Sequence, residues 1–518
     1  MGRVGLLGAV QLVLAAVAAV PSVQLARIFL GRLAYPFDLE WCEGGSLVHA
    51  ARLLEGQALY PGLESVFQPL PYPPVYYLAI ASVGWVGRDY WAGRVVSAAG
   101  FVLMAGVLAI EVQRHARDRV SGAALAVATV GVVAVLFPVL DGWYDLARVD
   151  SLMMGLAVLG AWMVSGPRPP RGRHLWLTAL VLAVSVYTKQ TNALFAVWVV
   201  GFVLLRWPRP GWALAGATFL CCAIPLAALE VASGGNFSRV ALTQLGSHGL
   251  DLGKLGHAQA RVLAFAPFLP ALPFLLLPAL RLGRLHQRTV LWLGMLAVAI
   301  PAGLLPYVKW GGHWNNLMPP LVLVPPVVVL LVLDVLPRRG PGAGVGQTAL
   351  LAALTAFLLT HPLAPDRYIP SDEQWARAEA FNARVAALDG GVFAPDFPFV
   401  PWRAGHRSAA TFHSMAYADL EMASRDYDLD ELFDRIDAEW VLMVSESGNR
   451  RDQAMRRRWR RRRMVPEDEQ VPMLQGARMV IDEIRGRNER PPDGGAGGRR
   501  DAPGARGGAA GPGSPSRD

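Results

Sequence analysis

The chain has 518 residues, of which 53% are hydrophobic and only 17% charged, with a formal net charge of +9. Soluble domains carry about a quarter charged residues, so a soluble multidomain protein is excluded, and three cysteines (Cys42, Cys221, Cys222) exclude a disulfide framework or a cysteine-based zinc module. The positive charge sits mainly in short loops between apolar runs and in an arginine cluster near the C-terminus. Membrane topology explains that pattern, and no nucleic-acid partner is expected.

The first apolar run, 4–30, follows Arg3 and has no small-residue cleavage site, so it reads as a retained helix with its N-terminus inside. Further runs follow at 92–112, 120–140, 151–165, 175–187, 193–205, 211–232, 262–280, 289–306, 317–336 and 346–360. About 20 apolar residues cross a hydrocarbon core. Basic loops mark one side: Arg114, Arg117 and Arg119, then Arg168, Arg171 and Arg173, Arg206 and Arg209, Arg281, Arg284 and Arg288, and Arg338 and Arg339. The intervening loops 31–91, 141–150, 188–192, 233–261 and 307–316 are acidic, aromatic or nearly neutral. Short cytoplasmic loops collect Lys and Arg. The predicted fold class is therefore a polytopic α-helical membrane protein of the inner (plasma) membrane, with about eleven transmembrane helices and a large first outer loop. The alternation holds if Val75–Gly87, preceded by Pro71, Pro73 and Pro74, lies along the outer surface as a juxtamembrane helix.

Residues 1–361 form this membrane part, and charges return after His361. A helix is predicted over 372–388, with strands over 390–395 and 439–445, giving a small soluble α/β domain over 362–485 on the outer side. From Gly486 onward Gly, Pro, Arg and Ala dominate, and a disordered tail is predicted. The stretch 450–464 holds nine arginines. It reads as a solvated basic helix face or, more sharply, as a dock for anionic lipid head groups or an anionic acceptor.

Four outer segments gather polar side chains. "DLEWCE" brings Asp38, Glu40 and Glu43 together beside Trp41, with Tyr35 and His49 close in sequence. Carboxylates at an interface serve as general bases for a hydroxyl acceptor or as divalent-cation ligands; a solvated acidic loop is the plain alternative. "DGWYDLARVD" supplies Asp141, Asp145, Arg148 and Asp150. Helix capping accounts for Asp150 alone but not for a cation such as Arg148 at the same helix start. "YTKQTN" places Lys189 and Gln190 between two short helices, where an ammonium holds a phosphate as a point charge or simply snorkels. "YVKWGGHWNN" adds His313 and Asn315 among tryptophans that an interfacial aromatic belt also explains.

These segments, together with "YPPVYYLAIAS", "ARVDSLMMGLAVLGAW", "YTKQTNALFAV" and "NNLMPPLVLV", resemble integral-membrane glycosyltransferases of the GT-C superfamily. The likeness is to family-39-like enzymes, which include protein O-mannosyltransferases and lipid A aminoarabinose transferases, and it covers about residues 1–360. It implies a polyprenyl-phosphate-linked sugar donor and work on the outer face. By position Asp38 resembles the first-loop catalytic carboxylate, Asp150 the second-loop carboxylate, and Lys189 the residue that contacts donor phosphate. The sequence departs from the pattern in two places. Leu39 separates Asp38 from Glu40 where relatives carry adjacent carboxylates, and Pro71-Tyr72 stands where the lipid A enzymes carry a lysine.

The expected reaction is a single inverting displacement, with Asp38, Glu40 and Asp150 as the catalytic carboxylates and Asp38 as base. Arg148 and Lys189 would meet the leaving phosphate; Trp41 and Tyr72 would stack on sugar; Glu43, Asp145, Gln190, His313 and Asn315 would complete the binding site. Asp38, Glu40 and Asp150 are also the candidates for a divalent cation. Expected partners are the donor lipid, surrounding membrane lipid and an acceptor that is a lipid, a glycan or a protein. The alternatives are a transporter or flippase of lipid-linked saccharide and a catalytically inactive relative. Against transport, no repeat is visible, and Glu111, Glu230 and Asp334 fall at span ends.

Overall fold

The structure is a computed structural model that describes residues 2–84, 89–244, 246, 248–265, 268–337, 341–406, 416, 429–444, 459–465, 471 and 481–487. Helix α1 (Gly2–Leu33) is followed by the loop helices α2 (Glu43–Leu54) and α3 (Val75–Gly84). Then come α4 (Tyr90–His115), α5 (Arg119–Val135), α6 (Val149–Val164), α7 (Gly172–Thr188), α8 (Ala193–Arg206) and α9 (Pro208–Ser233). A short α10 (Asn236–Ser238) precedes α11 (Lys254–Phe265), α12 (Phe268–Arg281), α13 (Gln287–Val308), α14 (Met318–Val335) and α15 (Pro341–Thr360).

Local chemistry sets several boundaries. The Asp89 carboxylate accepts from the Tyr90 amide to start α4, and the Asp118 carboxylate accepts from the Ser121 amide to start α5. Helix α9 ends on Gly234 and Gly235, both at positive φ, a backbone that glycine adopts without strain. The apolar run expected to reach residue 140 stops being helical at Val135, where Pro138 and the Asp141–Gly142 turn take over. The stretch expected as one span over 262–280 lies on two helices, α11 and α12.

Six of these helices are long and apolar enough to cross a membrane: those ending at Leu33, His115, Ser233, Val308, Val335 and Thr360. The chain is a multi-pass membrane protein. Its α14 is the most enclosed, while α1 and α9 turn Leu12, Val13, Trp212 and Phe219 outward, as lipid-facing helices do. Helix α3 has only 10 residues, about 15 Å, half of what a hydrocarbon core requires; residues 85–87 of the expected juxtamembrane stretch lie outside the described residues.

Helices α4 and α6 cross closely. A Cβ on Gly100 would come 2.5 Å from the Leu152 amide nitrogen, and one on Gly155 would come 2.6 Å from the Gly100 carbonyl oxygen. Nearby, Gly93 faces Ala147 in the same way, a Cβ there meeting the alanine methyl at 2.5 Å. Small residues let backbones approach where lipid supplies no hydrophobic drive. In the polar interior of the bundle, the Gln11 amide donates to the hydroxyls of Ser121 and Thr348 and so ties α1, α5 and α15 together.

Beyond the helices, α16 (Asp372–Ala386) begins with a capping box between Ser371 and Gln374. Strands β1 (Val392–Phe393), β2 (Trp440–Val444), β3 (Trp459–Met464) and β4 (Ile481–Arg487) form one sheet in the order β1-β2-β4-β3. The β1–β2 pair is parallel and the other two are antiparallel. The arginine run is therefore strand rather than helix over 459–464, where Arg461 lies opposite Arg485 and Arg463 opposite Glu483 in the ladder. Its first part, 450–458, lies outside the described residues, as does the tail from residue 488, whereas Gly486 and Arg487 end β4. This region rests on the first loop. The Asn382 amide donates to the Pro36 carbonyl at 2.8 Å, Trp375 meets Tyr35 edge-on at 5.6 Å, and Phe399 of α17 (Phe399–Arg403) meets Tyr90 edge-on at 5.1 Å.

Candidate active site

The site begins with the arginine of α4 that holds the first loop. Arg94, fully buried, donates to the carbonyls of Arg32 at 3.0 Å, Tyr35 at 2.7 Å and Phe37 at 2.7 Å. It also forks onto the Glu43 carboxylate at 3.1 and 2.8 Å. Glu43 in turn accepts from the amides of Leu39 at 2.7 Å and Ala147 at 2.8 Å. Burial pushes its carboxyl up, but Arg94 and these amides outweigh burial and hold it below the usual value. Arg94 was not singled out from sequence, although a lone arginine inside an apolar run demands a partner and so was a readable signal.

Three side chains of the same loop meet different surroundings. Asp38 is fully buried and saturated: one oxygen accepts from the Gly44 amide at 2.6 Å and the other from the Tyr90 hydroxyl at 2.8 Å. A Cβ on Gly44 would come 3.0 Å from that first oxygen, so glycine fits the contact. Burial, reinforced by the neighbouring Glu43 charge, pushes the Asp38 carboxyl well above the usual range. Glu40 is buried with its Oε2 accepting from the Cys42 amide at 3.1 Å and lying 3.6 Å from Arg148 Nη1. Its Oε1 has no hydrogen-bond partner among the described residues. Burial raises Glu40, Arg148 pulls it back, and the carboxyl comes to about 7. Trp41 is half-buried against the core. His49 accepts at Nε2 from the Leu70 amide at 3.0 Å, so its Nδ1 carries the proton donated to the Gly45 carbonyl at 2.6 Å. The imidazole pins the far arm of the loop to α2 and stacks on Tyr77 at 4.4 Å.

The second loop arrives over the Asp141–Gly142 turn, in which Asp141 takes the left-handed φ of 49°, a conformation a short polar side chain tolerates. Asp145 pairs with Arg32 at 3.3 Å; burial raises its carboxyl to about 6 against the pull of that arginine. Arg148 donates to the Tyr72 hydroxyl at 3.3 Å and lies over the Trp143 ring at 5.0 Å and the Tyr72 ring at 5.9 Å. Two residues on, at the start of α6, the fully buried Asp150 accepts from Lys189 Nζ at 2.8 Å and from the Asn315 amide at 3.1 Å. Lys189 also donates to Asn316 Oδ1 at 3.1 Å. Gln190 donates to the carbonyls of Pro71 at 3.0 Å and Ala241 at 2.8 Å. His313 sits at the exposed rim, 4.0 Å from Asp141 and 5.5 Å from the Trp143 ring centre.

All four sequence segments thus converge on one end of the bundle. The cluster offers two cations, Arg148 and Lys189, and buried oxygens with no hydrogen-bond partner among the described residues, including Glu40 Oε1, Gln190 Oε1 and Asn315 Oδ1. Unfilled acceptors of this kind suit hydroxyl donors on a ligand. The candidate cation ligands do not come together. Asp38 is occupied by Gly44 and Tyr90, Asp150 by Lys189 and Asn315, and among the described residues no three His, Cys, Asp or Glu side chains are grouped to hold a metal.

No family model matches the sequence, and no curated protein matches it by sequence. Its fold is shared with solved structures. The chain is similar to ArnT from Cupriavidus metallidurans bound to undecaprenyl phosphate, with 13% identity, 89% of this chain and 96% of that one covered, and a TM-score of 0.57. It is equally similar to ArnT from the same organism in the apo state, at 14% identity, the same coverage and a TM-score of 0.55. The chain has an ArnT-like fold.

Proposed function

We propose that this protein is a membrane glycosyltransferase that moves a sugar from a polyprenyl-phosphate donor to an acceptor hydroxyl on the extracytoplasmic face of the plasma membrane. The observation that carries the reading is the pairing of Glu40, with one unfilled buried oxygen, and Arg148 at 3.6 Å. A base and a phosphate contact at that spacing are what one displacement needs. The undecaprenyl phosphate bound by the similar ArnT structure supports a donor of this class.

In the proposed step the acceptor oxygen attacks the anomeric carbon and Glu40 Oε1 takes its proton. The carbon–oxygen bond to the phosphate breaks, and its electron pair leaves with the phosphate. Arg148 stabilises the charge that grows on that leaving group, and Asp150 aims the Lys189 ammonium toward it. One displacement inverts the anomeric centre. Asp38 is assigned a positioning role, because its two oxygens already accept from the Gly44 amide and the Tyr90 hydroxyl. Tyr72 and Trp41 line the sugar position, Gln190 and Asn315 accept from its hydroxyls, and His313 stands at the rim for the acceptor. Glu43 and Asp145 hold the loops through Arg94 and Arg32.

The same reading places eleven spans across the membrane and residues 362–485 outside as a small α/β domain covering the first loop. The test is transfer by purified protein in lipid, offered a panel of radiolabelled polyprenyl-phosphate sugars and a cell-envelope extract as acceptor. Transfer from one donor by the native chain, lost in Glu40→Gln, is expected. Consumption of no donor in the panel overturns the reading.

A further inference from the structure

A second site lies at the opposite end of the same helices. Helix α4, 26 residues long, begins with Tyr90 beside Asp38 and ends with Arg114 and His115, about 38 Å away at 1.5 Å per residue. There a cavity of about 510 Å³ opens between the ends of α4, α6, α8, α13 and α14. Four guanidinium groups line it, those of Arg114, Arg117, Arg206 and Arg288, against a single carboxylate, Asp334.

That carboxylate does not neutralise them. Asp334 accepts from His115 Nε2 at 2.8 Å through one oxygen and from the His286 amide at 3.0 Å through the other. Among the described residues, no ion pair joins Arg114, Arg206 or Arg288 to a carboxylate. Instead Arg206 donates to the Gly166 carbonyl at 3.1 Å and lies over Trp207 at 4.1 Å, and Arg114 lies over Trp162 at 4.9 Å. Arg206 and Arg288 line the same cavity. Arg114, Arg206 and Arg288, with no carboxylate ion-paired to them among the described residues and in a cavity large enough for a head group, form a site for an anion. Guanidinium forks match the oxygens of a phosphate, and tryptophans beside them sit at the depth of lipid head groups.

We infer that this cavity binds a phosphate group, carried by an anionic phospholipid head group or by a soluble phosphate. Native mass spectrometry of the full chain, released from micelles doped with phosphatidylglycerol or with phosphatidylcholine, reads the lipid arm. Binding of radiolabelled inorganic phosphate in neutral detergent reads the soluble arm. Retained phosphatidylglycerol with no retained phosphatidylcholine supports a lipid source. Bound inorganic phosphate without retained lipid supports a soluble one. In either arm, Arg206→Gln combined with Arg288→Gln should weaken binding about tenfold or more, since it removes two charge-assisted contacts. Arg288→Gln alone, the milder change, should give a smaller loss in the same direction. The inference is overturned if neither probe binds, if both lipids are held equally, or if the folded Arg288→Gln protein binds as the native chain does.

Discussion

Glu40 and Arg148 are both buried and stand 3.6 Å apart, the carboxylate from the loop after α1 and the guanidinium from the residue that opens α6. This contact puts a carboxylate and a guanidinium side by side, although the two residues are far apart in sequence.

The assignment of the base is tested by two substitutions. Glu40→Gln keeps the shape and removes the proton acceptor, so transfer should fall about 10²-fold or more with little change in thermal unfolding. Asp38→Asn disturbs the contacts to Gly44 and Tyr90, so it should lower the melting temperature more than the turnover of the folded fraction. The reverse pattern would return the base to Asp38.

The pH profile gives an independent reading. Glu40 comes to about 7 in the folded chain, against about 4.3 for an unfolded glutamate. The folded state therefore holds the proton more tightly. This group's contribution to stability is complete below the unfolded value and is lost as pH rises through about 7. Catalysis needs the ionised form, so kcat/KM should climb with pH and level off above about 7, and the limb should vanish in Glu40→Gln. A limb near 6 that survives in that variant would belong to Asp145, whose carboxyl comes to about 6 beside Arg32.

Arg148 is expected to act on the leaving group. Arg148→Gln should lower kcat/KM by about 10²-fold, the usual cost of one preorganised contact to developing charge. Arg148→Lys should recover only part of it, because an ammonium lacks the fork that reaches both Tyr72 and the phosphate. A loss confined to KM would make Arg148 a ground-state binding residue instead.

The buried pair of Arg94 and Glu43 is a matter of stability. Arg94→Met leaves the Glu43 charge and three loop carbonyls without their donor, and should cost about 3–5 kcal/mol, seen as a large drop in unfolding temperature in detergent. Pairing it with Glu43→Gln should return much of the loss. Equal damage in the single and double variants would show that Arg94 works through the carbonyls alone.

Much of this was legible in the sequence, because apolar length and loop charge are written along the chain. The helices fall close to the apolar runs, and the polar segments around Asp38, Arg148, Lys189 and Asn315 meet at one end. What each carboxylate of the first loop faces was not legible. Asp38, Glu40 and Glu43 lie within six positions, and their roles separate only because Tyr90, Arg148 and Arg94 reach them from other helices. The arginine run misled for a related reason: its composition suits a solvated helix, but the ladder between Trp459–Met464 and Ile481–Arg487 makes it a strand.

The glycine crossing of α4 and α6 makes these two helices a unit of inheritance. A methyl group at Gly100 or Gly155 would meet backbone rather than a movable side chain, so the axes would have to part. Because α4 carries Tyr90 and Arg94 at one end and Arg114 and His115 at the other, such a parting would act as a lever on both ends of the bundle. A chimaera that takes α4 from one parent must therefore take α6 from the same one, and a crossover in the 136–148 loop, which separates the two, should fail to fold.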